Sequence, residues 1–248
     1  GEIVGSIEGG EPRGRDEPQI INDKTSTMTS IDEVGLSQYF IWRQDNETLY
    51  QRLGEIRNDE ISEGPWVRVI GGRNKYNRNS VYFRNDFGGI QLGVDRTAAR
   101  TENEKWLLGA GFTVLRGNAD LSNKGSGKNN LASLSGYGTF LWNNDMYVDL
   151  IFKLSRLHDK FTAVSDNYEY ISKGRFNNYA IQIGAEAGKR LSFGTEQNWF
   201  IEPQVQVLYG RIKGNNFDTD TGVGVSTKAI DSVIGRIGLS GGYKGNLG

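Results

Sequence analysis

From Gly64-Pro65 onward the apolar residues fall on every second position. In GGIQLGVDR, Ile90, Leu92 and Val94 share one side, while Gly89, Gln91, Gly93 and Asp95 share the other. In MYVDLIFKLSR, Val148, Leu150, Phe152 and Leu154 alternate with Asp149, Lys153 and Ser155. In YAIQIGAEAGKR, Ile181, Ile183, Ala185 and Ala187 alternate with Gln182, Gly184, Glu186 and Gly188. In FIEPQVQVLY, Ile201, Val205, Val207 and Tyr209 oppose Glu202, Gln204 and Gln206. A period of two is the spacing of a β-strand, whose side chains point alternately to the two sides of a sheet. Similar runs start near Trp66, Lys105, Leu131 and Lys228. Together they give about eight strands, each roughly ten residues or longer.

The chain before Gly64 has no such alternation. Residues 1–30 carry Gly, Pro and charges without a steady period and read as a linker or the tail of something upstream. A helix is predicted from about Thr29 to Arg57, and residues 31–60 are taken as the helical unit. Leu36, Phe40, Leu49, Leu53 and Ile56 recur at helical spacing. Thr29 or Ser30 supplies a cap, and Asp32 and Glu33 fall in the first turn, where they favour the helix dipole. The middle, Trp42 to Asn46, is markedly polar, and taken alone the segment reads as an ordinary amphipathic surface helix.

Composition narrows the class. A mean hydropathy of -0.54 and 24% charged residues look soluble, and no stretch has the ~18 apolar residues of a spanning helix. A barrel strand puts only alternate residues into lipid, so low hydropathy does not exclude a membrane barrel. The 34 glycines, 4 prolines and 11% aromatics suit long strands. The net charge of -1, with cations dispersed, offers no nucleic-acid patch. The absence of cysteine excludes disulfides and thiolate metal sites and suits a chain that crosses the periplasm unfolded; no cofactor is expected. The opening GEIVGSIEGG has no secretory apolar core, so either a signal was removed or this is the C-terminal piece of a longer protein.

Two architectures fit the alternation: an outer-membrane barrel with its apolar side in lipid, or a soluble β-sandwich with that side inward. The strings GNADLSNKGSGKNN, SDNYEYISKGR and NNFDTDTG read as exposed loops, and Asn143-Asn144-Asp145 as a tight turn. Long loops at one end and tight turns at the other favour an up-and-down barrel.

The strings themselves carry a resemblance. LYQRLGEIR, GPWVRVIGGRNKY, DFGGIQLGVDR, WFIEPQVQVLYG and DSVIGRIGLSGG occur in the order and spacing of an autotransporter β-domain of the pertactin type, and the likeness covers roughly Asp32 to Gly248. The resemblance implies an all-β fold: a transmembrane, antiparallel outer-membrane barrel of twelve strands with an N-terminal helix threaded through the pore, residues 61–248 forming the barrel. It implies an anchor and exporter of an N-terminal passenger in the bacterial outer membrane, with lipid, the passenger and the barrel assembly machinery as partners. About eight strands are recognisable before Gly248. The chain is therefore expected to be incomplete, or truncated so that an unfinished barrel pairs its edge strands with the assembly machinery.

Within that frame Arg43, Asp45, Asn46, Glu47, Gln51 and Arg52 are the polar residues of the pore helix. Gln91, Asp95, Asp149, Lys153, Glu186, Glu202, Gln204 and Arg236 face the lumen and supply hydrogen-bonding partners. Ile90, Leu92, Val94, Val148, Leu150, Phe152, Ile181, Ile183, Val205 and Val207 face lipid. Some members of the family cut their helix at an Asn-Asn pair. Here the aligned positions hold Glu47-Thr48 and the nearest asparagine is Asn46, so that route is not expected. The glycines of GGIQLG and GAGF are expected to keep the lumen wall low where the helix passes. Trp66, Trp106, Trp142 and Trp199 lie near strand ends, as interfacial girdles do. His158 is the single histidine, and no Ser-His-Asp set builds around it. A barrel hydrolase or protease, or a soluble β-sandwich binding module, are the competing readings.

Overall fold

The computed structural model describes residues 20–57, 63–78, 81–165, 170–194 and 198–243. One helix, α1 (Ile20–Arg57), precedes the strands β1 (Gly64–Arg78), β2 (Val81–Arg100), β3 (Glu104–Leu121), β4 (Ser126–Trp142), β5 (Met146–Val164), β6 (Ile171–Lys189), β7 (Leu191–Phe193), β8 (Trp199–Ile212), β9 (Asn215–Asp218), β10 (Gly224–Thr227) and β11 (Ile230–Tyr243). Eight long strands form one antiparallel meander in the order β1-β2-β3-β4-β5-β6-β8-β11, with β7 attached to β8 and β9-β10 a separate hairpin. Among the described residues β1 pairs only with β2 and β11 only with β8.

Register brings the apolar positions together. Val67 lies opposite Leu92, Leu92 opposite Phe112, Phe112 opposite Leu134, Leu134 opposite Leu154, and Leu154 opposite Ile181. This row is on the convex outer face, where Val67, Leu92, Phe112, Leu134 and Leu154 are exposed. Side chains one residue out of phase point to the concave face, which wraps α1. A one-residue slip of any strand would exchange the two sets, so the register is fixed by composition.

The concave face is layered. Ile31 and Val34 of α1 pack with Phe83, Phe161 and Phe176 at one end. Ile41 and Trp42 pack with Leu115, Leu131 and Leu157 at mid-height. Leu49, Leu53 and Ile56 pack with Leu107, Tyr137 and Ile151 at the other end. The lumen is thus not polar throughout: apolar layers separate the polar ones.

Three expectations change. The helix starts at Ile20, not near Thr29, because neither Pro nor Gly interrupts residues 20–34. Asp32 and Glu33 are therefore mid-helix rather than in its first turn. The strands reach 14 to 20 residues and run through much of the strings read as loops. In GNADLSNKGSGKNN the inward Gly117, Ala119, Gly127 and Asn129 still alternate with outward Asn118, Asp120 and Lys128, a period hidden by the polarity of both sets. The Asn143-Asn144-Asp145 turn stands as expected between β4 and β5, with Asp145 at φ 61°.

Candidate functional site

The interface between α1 and the concave wall holds many of the buried polar groups of the described residues. At mid-height the Lys153 ammonium lies 2.8 Å from the Asp45 carboxylate, both fully buried. The same ammonium donates to the Asp45 carbonyl at 2.8 Å. Ser133 Oγ donates to Asp45 Oδ2 at 2.6 Å and Gln91 Nε2 to Oδ1 at 3.3 Å. One helical carboxylate thus gathers groups from β2, β4 and β5.

Two helical turns further on, the Arg52 guanidinium forks onto Asp95, with Nε and Nη2 each 3.0 Å from a carboxylate oxygen. Asp95 also accepts from Tyr137 Oη at 3.0 Å and from the Gly64 backbone at 3.1 Å. Tyr137 Oη accepts the Trp66 indole N–H at 2.8 Å, and Arg52 lies over the Trp66 ring. Arg68 of β1 donates to the Thr48 carbonyl at 2.7 Å and pairs with Glu55. On the β11 side Arg236 pairs with Glu47, and Tyr39 Oη meets Ser232 Oγ at 3.0 Å. Toward the start of the helix, Glu33 accepts backbone N–H groups of Tyr82 and Ser122, each at 2.9 Å. Ser37 donates to Asn129, which donates to Asp159 at 2.7 Å.

The helix candidates divide. Asp45, Glu47 and Arg52 reach the wall, whereas Arg43 stands 4.0 Å from Glu47 and Gln51 donates to Glu55, both along the helix. Asn46 is buried with neither amide atom hydrogen-bonded. Among wall candidates Gln91, Asp95, Lys153 and Arg236 meet helical groups. Asp149 accepts from Thr139, Glu202 pairs with Arg190, and Tyr147 Oη bridges Glu186 and Gln204, so these tie wall to wall. All eight point to the concave side. On the convex side Ile90, Leu92, Val94, Leu150, Phe152, Ile183, Val205 and Val207 are exposed, and Val148 and Ile181 are half-buried there.

Sequence reading placed Trp66 with the other tryptophans; the structure turns it inward onto Tyr137. Its side was legible from parity, since Trp66 is in phase with Arg68 and Ile70 and out of phase with Val67 and Val69. Trp106, Trp142 and Trp199 remain outward and exposed. The glycine expectation also moves. A side chain at Gly89, Gly93 or Gly109 would strike Leu115, Trp66 or Tyr137 of the wall, not the helix. The helix instead passes over Gly117, Gly127, Gly184 and Gly210, where a Cβ would meet Ile41, Val34, Tyr50 and Trp42. His158 Nδ1 meets Asn177 Oδ1 at 2.8 Å, not a serine or carboxylate.

Residues 65–248 match the family described as the autotransporter beta-domain. The chain is 32% identical over 237 residues to a pertactin autotransporter of Bordetella parapertussis, covering 94% of this chain and 24% of that protein. It is 29% identical over 206 residues to the serine protease SepA autotransporter of Shigella flexneri, covering 82% of this chain and 14% of that one. The chain therefore spans about a quarter or less of the curated relatives it matches. The solved β-domain of the Bordetella autotransporter BrkA superposes with a TM-score of 0.63 at 22% identity, covering 74% of this chain and 72% of that chain. The translocator domain of NalP from Neisseria meningitidis superposes with a TM-score of 0.58 at 16% identity, covering 79% and 69%. The likeness to these two structures is one of fold. The chain belongs to the autotransporter β-domain family and is an outer-membrane translocator domain.

Proposed function

We propose that this domain anchors an N-terminal passenger in the outer membrane and exports it to the cell surface, with α1 as the last segment left in the pore. The observation that carries this is the fully buried Asp45–Lys153 pair between helix and wall. A charge pair this deep has no place on a lipid-facing helix, and it ties the upstream chain to the barrel interior. The outward apolar rows are the lipid contact, and Trp106, Trp142 and Trp199 are an interfacial girdle at the end where α1 finishes. The passenger leaves at the opposite end, where α1 begins. The outer strands β1 and β11 present edges whose backbone groups would each cost several kcal/mol unpaired in hydrocarbon. Those edges are where further strands join, from a longer chain or from the barrel assembly machinery.

The domain acts as conduit and anchor rather than catalyst. Its buried carboxylates and cations hold the helix, and the histidine lies on the outer face, away from them. An epitope placed ahead of α1 in the full-length protein tests the reading. External protease should remove it from intact cells, while the barrel shows heat-modifiable migration on gels. An epitope that becomes accessible only after the outer membrane is broken contradicts export.

A further inference from the structure

Above the apolar rows the outer wall carries a ladder of cations. Lys128 of β4 lies opposite Lys160 of β5, and Lys160 lies opposite Arg175 of β6. Lys173 follows on the same side of β6, and all four are exposed. Like charges directly opposite across strands repel, so this arrangement lowers stability unless an anion sits over it. Elsewhere on the outer wall Arg73 and Arg84 pair with Asp86 and Arg211 with Asp231, while Arg116 and Arg156 stand opposite uncharged residues. Among the described residues no carboxylate lies within ion-pairing distance of the four. Asp218 and Asp220 line the same hollow, of about 630 Å³, and Asp220 accepts the Lys173 backbone N–H at 2.6 Å.

Position identifies the kind of anion. The ladder is at the end where α1 begins, opposite the tryptophan girdle, and in the proposed orientation that is the outer leaflet. On β5 the outward residues read Leu150, Phe152, Leu154, then Arg156, His158, Lys160. Lys160 is six residues beyond Leu154, where the continuous apolar row of β5 ends, roughly 20 Å along the strand, and Val164 follows it. A compact phospholipid headgroup does not stand that far above its acyl chains. A phosphorylated saccharide does. The intervening row suits sugar hydroxyls: Asn130, His158 and Asn177 lie opposite one another on three strands. Adjacent strands are about 4.8 Å apart, so Lys128, Lys160 and Arg175 span about 10 Å, and the Arg175 fork suits a phosphate bidentately.

We infer that Lys128, Lys160, Lys173 and Arg175 bind the phosphorylated saccharide headgroup of an outer-leaflet glycolipid. This rests on the outer-membrane orientation proposed above. The test uses the full-length protein in detergent micelles and fluorescent rough lipopolysaccharide, a glycolipid with a short phosphorylated saccharide core. The triple variant K128Q/K160Q/R175Q should raise the Kd by about tenfold or more, because each charge-assisted contact to phosphate is lost. The variant R96Q/R100Q/K105Q, at the other end of the wall, should change it by less than about twofold. Enzymatically dephosphorylated lipopolysaccharide should bind parent and triple variant alike. If the triple variant fails to fold, R175Q alone should still weaken binding by about threefold. Equal loss in both variant sets, no loss in either, equally tight binding to phosphatidylglycerol vesicles, or displacement by millimolar inorganic phosphate would each overturn the site. A parent protein whose gel migration does not respond to heating contradicts the barrel reading itself. A heat-modifiable parent with an unaffected triple variant contradicts the headgroup site alone.

Discussion

Lys153 on β5 and Asp45 on α1 face each other at 2.8 Å with neither side chain reaching solvent. Two ions so placed depend on one another. Removing one leaves the other buried without its counter-charge, which typically costs about 3–5 kcal/mol. K153M and D45N should each lower the unfolding free energy, measured by urea titration of the protein in micelles, by that order. The double variant D45N/K153M should lose clearly less than the two singles together, since no unpaired charge remains. Additive losses would mean that the pair is not coupled.

Arg52 and Asp95 lock the far end of the helix. The two parallel N–H···O contacts need a planar fork, which lysine lacks. R52K keeps the charge but should destabilise the domain by about 1.5–3 kcal/mol. Trp66 reports on the change, because its ring lies under Arg52 and its N–H is bonded to Tyr137. The emission of Trp66, isolated by replacing the other tryptophans with phenylalanine, should shift in R52K. An unchanged spectrum and stability would show that the network tolerates a point charge.

Much of the outer wall was legible in the sequence, because alternation in strands such as MYVDLIFKLSR assigns every residue to a side once one side is known. The inner wall was legible only in part. Parity placed Asp95 and Lys153 inward, but nothing in a linear pattern says that Asp45 meets Lys153 and Arg52 meets Asp95. Those pairings depend on the helix's height and rotation in the lumen. Glu33 shows the same limit. Read locally it is a first-turn acid. In the fold it lies mid-helix and holds the backbone at Tyr82 and Ser122. The hairpin β9-β10 was read as loop because both its faces are polar, apart from Phe217 and Val225, which pack inward.

Depth within the wall gives a prediction on the outer side. Leu150 is the middle of the five outward apolar residues Met146, Val148, Leu150, Phe152 and Leu154 on β5. L150R should cost about 2–4 kcal/mol if it lies at the bilayer midplane, and M146R, at the strand end, about 0–1 kcal/mol. Urea unfolding in lipid bilayers measures both. Equal costs at the two positions would mean that the face does not lie in a hydrocarbon slab.

The close approach of helix and wall gives the last prediction. Gly184 of β6 faces Tyr50 of α1, and a Cβ added there would stand 2.1 Å from the Tyr50 oxygen. That distance is far inside van der Waals contact, so the phenol has to move or the helix has to shift. Tyr50 Oη is buried without a hydrogen-bond partner, so the hydroxyl itself can be removed without breaking a bond. Overpacking of this kind typically costs about 1–3 kcal/mol. G184A should therefore destabilise the domain by that order, while Y50F alone should be nearly neutral. Combining them should recover much of the loss, because the atom nearest the new methyl is gone. Y50A/G184A offers the alanine still more room but opens a cavity, so it should recover less than Y50F/G184A does. The four proteins compared by urea unfolding in micelles form a coupling test between helix and wall. If G184A is tolerated on its own, or is not relieved by Y50F, the helix does not pass over β6 at this height.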